Sequence, residues 1–175
     1  MQVLDIILIE DEDGDAGLIR YSLKFSGGEH KITWLKSLTA LDRHLATLDA
    51  AADVILLDLN LPDSTGLDTV SRCKAMAHGT PIVVLTGHDD MDFSIRALEA
   101  GAQDYLVKHQ LKAENLLRAI RYAMERHQLE QRLQQSEELM MAAIEGGNLG
   151  IWEWDLKTDA CYTSKRLRKN VGFKA

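Results

Sequence analysis

The most informative segment of the chain reads Val54-Ile55-Leu56-Leu57-Asp58-Leu59-Asn60-Leu61-Pro62. Its four consecutive apolar residues are typical of a strand that is covered on both faces of a parallel sheet. Similar apolar runs occur at residues 6–9 and 82–85. Each run is far shorter than the roughly 20 residues that a membrane-spanning helix requires. The three runs are therefore interpreted as core strands, and no part of the sequence is expected to cross a membrane.

Stretches with helical spacing of apolar residues separate these strands. The predicted helices are residues 15–25, 38–48, 65–78 and 91–100, and weaker strands are predicted at residues 30–35 and 104–108. Strands that alternate with helices form right-handed crossovers, which place helices on both faces of a parallel sheet. The sequence therefore predicts an α/β fold with a doubly wound, five-stranded parallel sheet.

A fifth helix begins near Leu111 and has no stop signal before Gly146, because residues 112–145 contain neither proline nor glycine. Its first part can pack on the sheet. Further along, a seam of residues recurs at alternating steps of four and three, which favours a two-helix coiled coil and hence a homodimer. The seam consists of Leu129, Leu133, Ser136, Met140 and Ala143. A single, solvent-exposed helix is the alternative.

These patterns divide the chain into three expected segments. A globular domain occupies residues 1–125, a helical coiled-coil linker occupies residues 126–145, and an incomplete second domain occupies residues 146–175. The second domain is expected because alternating, strand-like residues follow the break at Gly146-Gly147.

The composition argues against several classes of protein. With 27 acidic and 20 basic side chains, the formal charge of -7 speaks against nucleic acid as a general partner. A basic cluster at residues 165–169 is typical of a solvated helix face. The two cysteines, Cys73 and Cys161, lack the spacing of a disulfide framework or a zinc site. Because the N-terminus also lacks the pattern of a secretory signal, we expect a cytoplasmic protein.

Polar side chains stand at the ends of four predicted strands. Glu10 and Asp11 follow the first strand, Asp58 follows the third, Thr86 follows the fourth, and Lys108 ends the fifth. In open parallel sheets, ligands bind beyond the carboxyl ends of the strands. We therefore expect these side chains to form one site.

The chemistry of this site predicts phosphoryl transfer to a carboxylate. Two carboxylates about 4 Å apart repel each other by roughly 4 kcal/mol at an effective dielectric near 20, so the acidic cluster requires a cation. Magnesium prefers oxygen ligands and is the predicted cofactor. The hydroxyl of Thr86 and the ammonium of Lys108 suit an oxyanion at the same place.

The sequence resembles the receiver domain of bacterial two-component response regulators. The matching motifs are Ile9-Glu10-Asp11, Asp58 to Gly66, Leu85-Thr86-Gly87 and Tyr105-Leu106-Val107-Lys108, and together they cover residues 4 to about 125. The resemblance implies a flavodoxin-like sheet with strand order 2-1-3-4-5. It also implies that Asp58 accepts a phosphoryl group from a histidine kinase or a phosphotransfer protein.

The resemblance further implies a set of ligands. Magnesium would be held by Asp11 directly, by Glu10 through water, by Asp58 and by the backbone carbonyl of Asn60. The residues that would bind the phosphoryl oxygens are Thr86 and Lys108.

Other matching positions imply control of the signal. Tyr105 would be the aromatic switch that turns inward when Thr86 moves toward the phosphate. Asn60 and His88 would flank the approach of a hydrolytic water and set the lifetime of the phosphoaspartate. His109 stands where the family usually has proline, often after a cis peptide, so the sequence leaves the geometry of the Lys108–His109 bond open.

The last segment resembles the opening of a PAS sensor domain. The resemblance rests on residues 144–155, which include Trp152 and Trp154, and on Tyr162, Ser164 and Gly172-Phe173. An ordinary β-hairpin is the alternative. Receivers joined to PAS domains commonly continue into a diguanylate cyclase or a histidine kinase, of which the cyclase is favoured. No kinase-like histidine motif or glycine-rich nucleotide loop occurs here, so no enzymatic output is expected within this segment, and one beyond residue 175 is left open.

Two other functions are considered from the sequence. A phosphatase with an aspartyl nucleophile would need a second aspartate two residues after Asp58, where this chain has Asn60. A receiver that is never phosphorylated would act as a docking or dimerisation scaffold. The acidic pair, Thr86 and Lys108 speak against the scaffold, whereas His109 leaves it open.

Overall fold

The structure is a computed structural model that describes residues 3–24, 29–47, 51–77, 79–87, 91–147 and 149–172, without the side chains of residues 91–94, 110 and 170. The chain forms two compact units, Met1–Gln128 and Leu129–Ala175. They are called the N-terminal unit and the C-terminal unit. The predicted His88 site residue lies outside the described residues.

Five parallel strands form the sheet of the N-terminal unit. They are β1 (Asp5–Ile9), β2 (Lys31–Leu35), β3 (Val54–Asp58), β4 (Ile82–Thr86) and β5 (Asp104–Val107). Their spatial order is β2-β1-β3-β4-β5, and each neighbouring pair is parallel. The predicted fold class and strand order are therefore confirmed. One boundary differs from the prediction: β5 ends at Val107, and Lys108 begins a 3-10 turn, Lys108–Gln110, instead of ending the strand.

Helices connect these strands. They are α1 (Asp13–Lys24), α2 (Leu38–Leu45), α3 (Gly66–Met76), α4 (Met91–Glu99) and the long α5 (Ala113–Gly146). α1 starts two residues before its predicted start at Asp15, since acidic side chains in the first turn favour the helix dipole. α2 ends at Leu45 rather than at residue 48. Among the described residues, no helix combines the length and apolar character needed to cross a membrane.

The sheet separates two apolar clusters. On one face, Ile7, Ile55 and Leu57 pack with buried residues of α2 and α3. On the other face, Leu8 and Leu56 pack with buried residues of α1 and α5. Successive residues of a strand point to opposite faces, so continuous apolar runs are what this layered core requires. The core holds the carboxyl ends of β1, β3, β4 and β5 at one edge of the sheet.

The C-terminal unit contains a hairpin and a short helix. β6 (Trp152–Asp155) pairs antiparallel with β7 (Ala160–Thr163), and α6 spans Lys165–Val171. The hydroxyl of Ser164 caps α6 by accepting a hydrogen bond from the backbone N–H of Leu167 at 3.2 Å. Gly172 follows with φ at 81°, a left-handed conformation that glycine adopts readily at helix ends.

We expect Ile120→Ala to destabilise the N-terminal unit. Ile120 is buried on α5 within the cluster that covers one face of the sheet. Truncating a buried isoleucine costs about 2–5 kcal/mol, because apolar contacts are lost and a cavity remains. Urea denaturation followed by circular dichroism measures this loss.

Tyr122→Ala is the matched control on the same helix. Its side chain is more than half exposed, so we expect a change of less than about 0.5 kcal/mol in the free energy of unfolding. Equal losses in the two variants would contradict the packing of α5 described above.

Candidate functional site

Register brings four predicted site residues to one edge of the sheet. Ile9 pairs with Leu57, so Glu10 and Asp58 come at the same level of β1 and β3. Asp58 is opposite Leu85, the residue before Thr86, and Thr86 is opposite Val107, the residue before Lys108. Residues from four distant parts of the chain therefore converge. Glu10, Asp58 and Thr86 are buried there.

The ammonium of Lys108 lies at the centre of the site. Its Nζ is 2.7 Å from Glu10 Oε2, 2.7 Å from Asp15 Oδ2 and 2.9 Å from Asp58 Oδ1. Burial alone would lower the pKa of Lys108, but its close contacts with these three carboxylates outweigh burial and raise the pKa. Lys108 is therefore a permanent positive charge beside Asp58.

Glu10 has an incompletely satisfied carboxylate. Burial raises the pKa of Glu10, Lys108 lowers it, and the nearby charge of Asp58 raises it, with a net increase. The backbone N–H of Glu12 donates to Oε1 at 3.1 Å. Within the described part of the chain, Oε2 receives no hydrogen bond of good geometry, although Lys108 is close. Glu10 Oε2 can therefore accept a further hydrogen bond or bind a cation.

Three carboxylates form a cluster that fits a divalent cation. Oxygens of Glu10, Asp11 and Asp58 all lie within 4.8 Å of one another. Asp11 is partly buried, whereas the other two are almost inaccessible to solvent. Oxygen ligands of this type suit a hard cation such as magnesium. Because the single positive charge of Lys108 does not balance three carboxylates, the cluster keeps a net negative charge that such a cation would neutralise.

Backbone contacts fix the acidic residues. The backbone N–H of Asn60 donates to Asp58 Oδ2 at 3.0 Å, which leaves Oδ1 to Lys108. The indole N–H of Trp34 donates to the backbone carbonyl of Glu10 at 2.7 Å. The N–H of Glu10 donates to the carbonyl of Leu35 at 3.0 Å. Neighbouring segments thus set the positions of both buried carboxylates.

Asp63 ties the loop after Asp58 to the start of α2. Its Oδ1 accepts from the N–H of Leu38 at 3.1 Å, and its Oδ2 accepts from the N–H and hydroxyl of Thr39 at 2.8 and 2.7 Å. Slight burial would raise the pKa of Asp63, but these hydrogen bonds outweigh it and lower the pKa. Sequence reasoning missed this role because the partners lie about 25 residues apart.

Asp15 also has a role that the sequence did not reveal. It occupies the first turn of α1, where an acidic side chain favours the helix dipole. Its carboxylate in addition contacts Lys108, 93 residues away. In the sequence, only its position four residues after Asp11 relates Asp15 to the site. Acidic residues at such positions are equally typical of a helix N-terminus.

The remaining predicted residues lie around this centre. Tyr105 is half-buried on β5 opposite Val84 and packs against the apolar cluster that includes α2 and α3. Asn60 is exposed in the short antiparallel pairing of Asn60–Leu61 with Ser64–Thr65. The described residues contain no cis peptide bond, so the Lys108–His109 bond is trans.

Comparison with known proteins agrees with this geometry. The sequence profile described as "Response regulator receiver domain" matches residues 6–121, well over half of the chain. The chain belongs to the response regulator receiver domain family. This match covers the sheet from Ile6 onward, helices α1 to α4, the beginning of α5 and all of the converging residues described above.

Individual relatives show the same relationship. The "Uncharacterized transcriptional regulatory protein YkoG" of Bacillus subtilis is 32% identical over 123 residues, which are 68% of this chain and 50% of YkoG. The chain therefore spans about half the length of that relative. A response regulator receiver domain protein of Clostridium thermocellum has a TM-score of 0.61 at 29% identity, covering 73% of this chain and 98% of its own.

A second solved structure contains a metal. The Mn²⁺-bound form of the response regulator Rcp1 has a TM-score of 0.53 at 28% identity. The match covers 67% of this chain and 88% of Rcp1. Both solved structures support the receiver fold.

We expect Asp63→Ala to lower the free energy of unfolding by about 1 kcal/mol at pH 7, as loss of a helix cap does. The pKa of Asp63 is lowered by folding, so its stabilisation is present above the unfolded value of 3.8 and lost as the pH falls through the folded pKa. The difference from wild type should therefore shrink at acidic pH. Urea denaturation across this range measures it.

Asp42→Ala provides the control, since Asp42 is exposed on α2. It should change stability by less than about 0.5 kcal/mol at each pH. A pH-independent loss in Asp63→Ala would contradict the role given to the Asp63 carboxylate.

Proposed function

We propose that this chain is a phosphoryl-accepting receiver of a two-component system, in which Asp58 takes the phosphoryl group of a histidine kinase or phosphotransfer protein. One observation carries the proposal. Asp58 is buried within a carboxylate cluster and its Oδ1 is 2.9 Å from the ammonium of Lys108. A nucleophilic oxygen, a cation site and a fixed positive charge thus meet at one point, as phosphoryl transfer requires.

The proposed reaction is a displacement at phosphorus. An oxygen of Asp58 forms a bond to phosphorus, and the bond from phosphorus to the donor nitrogen breaks, with its electron pair remaining on the leaving imidazole. Glu10, Asp11, Asp58 and the carbonyl of Asn60 would hold magnesium, which neutralises charge on the transferred group. Lys108 and Thr86 bind the phosphoryl oxygens.

In this proposal, neighbouring residues change position when Asp58 is phosphorylated. Thr86 ends β4 beside the phosphoacceptor strand, and Tyr105 lies on the next strand, β5. A shift of Thr86 toward the phosphoryl group opens space into which Tyr105 turns. Asn60, which is exposed two residues after Asp58, and His88 set the rate of hydrolysis.

We further propose that α5 carries the signal to an output domain. The helix runs without interruption from Ala113 to Gly146. Beyond the N-terminal unit its apolar seam is solvent-exposed, with Leu129, Leu133 and Met140 each more than half accessible. Burial of this seam against a second copy of the chain forms a parallel coiled coil, in which Ser136 keeps the pairing weak enough to be switched.

Residues 146–175 are proposed to be the beginning of a PAS domain. Their hairpin leaves Trp152, Trp154 and Tyr162 more than half exposed. Aromatic side chains in such positions are expected to be covered by further strands of a larger sheet. A diguanylate cyclase or a histidine kinase is the proposed output of the whole protein, with the cyclase favoured.

Incubation with acetyl phosphate and magnesium should add one phosphoryl group to Asp58. Intact-mass measurement of the wild-type chain and of Asp58→Asn tests this. Asp11→Asn is the second variant, because it keeps the nucleophile but removes a cation ligand, and should label more slowly. Equal labelling of Asp58→Asn would refute the assignment. A wild-type chain that takes no label would instead favour the unphosphorylated docking scaffold.

Leu133→Glu should convert a dimer into a monomer, because it places two like charges opposite each other in the seam. Sedimentation of the whole chain at micromolar concentration measures this. Gln131→Glu is the matched control, since it adds the same charge to an exposed helix position outside the seam. If wild type is monomeric, or if both variants dissociate equally, the coiled-coil proposal is wrong.

A further inference from the structure

The ammonium of Lys108 is surrounded by carboxylates, and it donates a hydrogen bond to Asp15 at 2.7 Å. An ammonium group carries three N–H donors. Its nitrogen lies within 2.9 Å of three carboxylate oxygens, which belong to Glu10, Asp15 and Asp58. A phosphoryl group on Asp58 therefore competes with these carboxylates for Lys108.

Asp15 is the contact that can be released at the lowest cost. Its side chain is 35% exposed, compared with 0% for Glu10 and 5% for Asp58. Water can therefore solvate the Asp15 carboxylate once Lys108 leaves it, whereas Glu10 would remain buried without its contact to Lys108. Asp58 is the acceptor itself and stays beside the transferred group.

The charge of Asp15 also acts on the donor. Through its contact with Lys108, Asp15 adds a fourth carboxylate to the cluster of Glu10, Asp11 and Asp58. Phosphodonors are anions, so each additional negative charge at the site disfavours their approach. The cost of releasing Lys108 from Asp15 and the repulsion of the donor by Asp15 therefore both lower the rate of phosphoryl transfer.

We propose that Asp15 is a positioning residue that competes with the incoming phosphoryl group for Lys108 and thereby slows phosphoryl transfer to Asp58. The inference rests on the proposed function of Asp58. It goes beyond that function by naming a residue that sets the rate and by giving its sign: loss of the Asp15 carboxylate accelerates the reaction.

A helix-terminal role is the competing explanation, and the chain offers a matched control for it. Asp13 is also an acidic residue in the first turn of α1. It pairs with Lys36 at the surface and makes no ion pair with Lys108 among the described residues. Asp13→Asn and Asp15→Asn remove the same charge from the same helix turn. A difference between them therefore reports the contact with Lys108.

The experiment measures the rate of Asp58 labelling by acetyl phosphate, with magnesium, in the full chain at low and high ionic strength. Asp15→Asn should react about two- to fivefold faster than wild type at low salt, and the difference should narrow at high salt. Asp13→Asn and the charge-preserving Asp15→Glu should stay near wild type. An unchanged or slower rate in Asp15→Asn overturns the proposal, as does an equal acceleration in Asp13→Asn.

A second measurement uses the metal-free chain and does not depend on phosphoryl transfer. The ammonium hydrogens of Lys108, observed by NMR, should exchange with water faster in Asp15→Asn than in wild type or Asp13→Asn. Identical exchange in all three chains overturns the contact itself. If the wild-type chain takes no phosphoryl group at all, the proposed function fails; if it is labelled but Asp15→Asn matches Asp13→Asn, only the present inference fails.

Discussion

The site depends on the attraction between one ammonium group and two buried carboxylates. Glu10 and Asp58 are almost fully removed from water at the end of an apolar sheet, and Lys108 is within 2.9 Å of both. Removing one partner of a buried charge pair leaves the other uncompensated, which costs about 3–5 kcal/mol. The register of β1, β3 and β5 must therefore be held closely, because a one-residue slip would turn these side chains to the opposite face.

Most of the fold could be predicted because its strands are buried on both faces. Continuous apolar runs such as Val54 to Leu57 occur only where both sides of a strand are covered, and the alternation with helices then restricts the topology. The convergence of Glu10, Asp58, Thr86 and Lys108 follows from the same argument. Parallel strands end at one edge, so residues that follow different strands become neighbours without any similarity in sequence position.

The contacts that the sequence did not reveal join separate segments through side chains. Asp63 caps α2 from a loop that follows a different strand, and Asp15 reaches Lys108 from a helix. Both residues read locally as ordinary turn or helix-terminal acids, because sequence patterns describe spacing along one element. Their partners are fixed only after the layers pack. The bond before His109 is trans, in keeping with the roughly 2.5–4 kcal/mol that a cis bond costs before a residue other than proline.

β5 joins the edge of the sheet that carries Asp58 and Lys108 to α5. Its carboxyl end leads into Lys108, and the residue before the strand, Gln103, accepts a hydrogen bond from Arg126 of α5 at 3.0 Å. Gln103 is itself fixed to β4, because its side-chain oxygen accepts from the N–H of Ile82 at 2.7 Å and its own N–H donates to the Ile82 carbonyl at 2.9 Å. A strand of four residues separates these two anchors. In the proposed function, a displacement of Lys108 toward a phosphorylated Asp58 acts on a short, paired strand whose other end is bonded to the helix. The β4–β5 register is the constraint that such a displacement has to overcome.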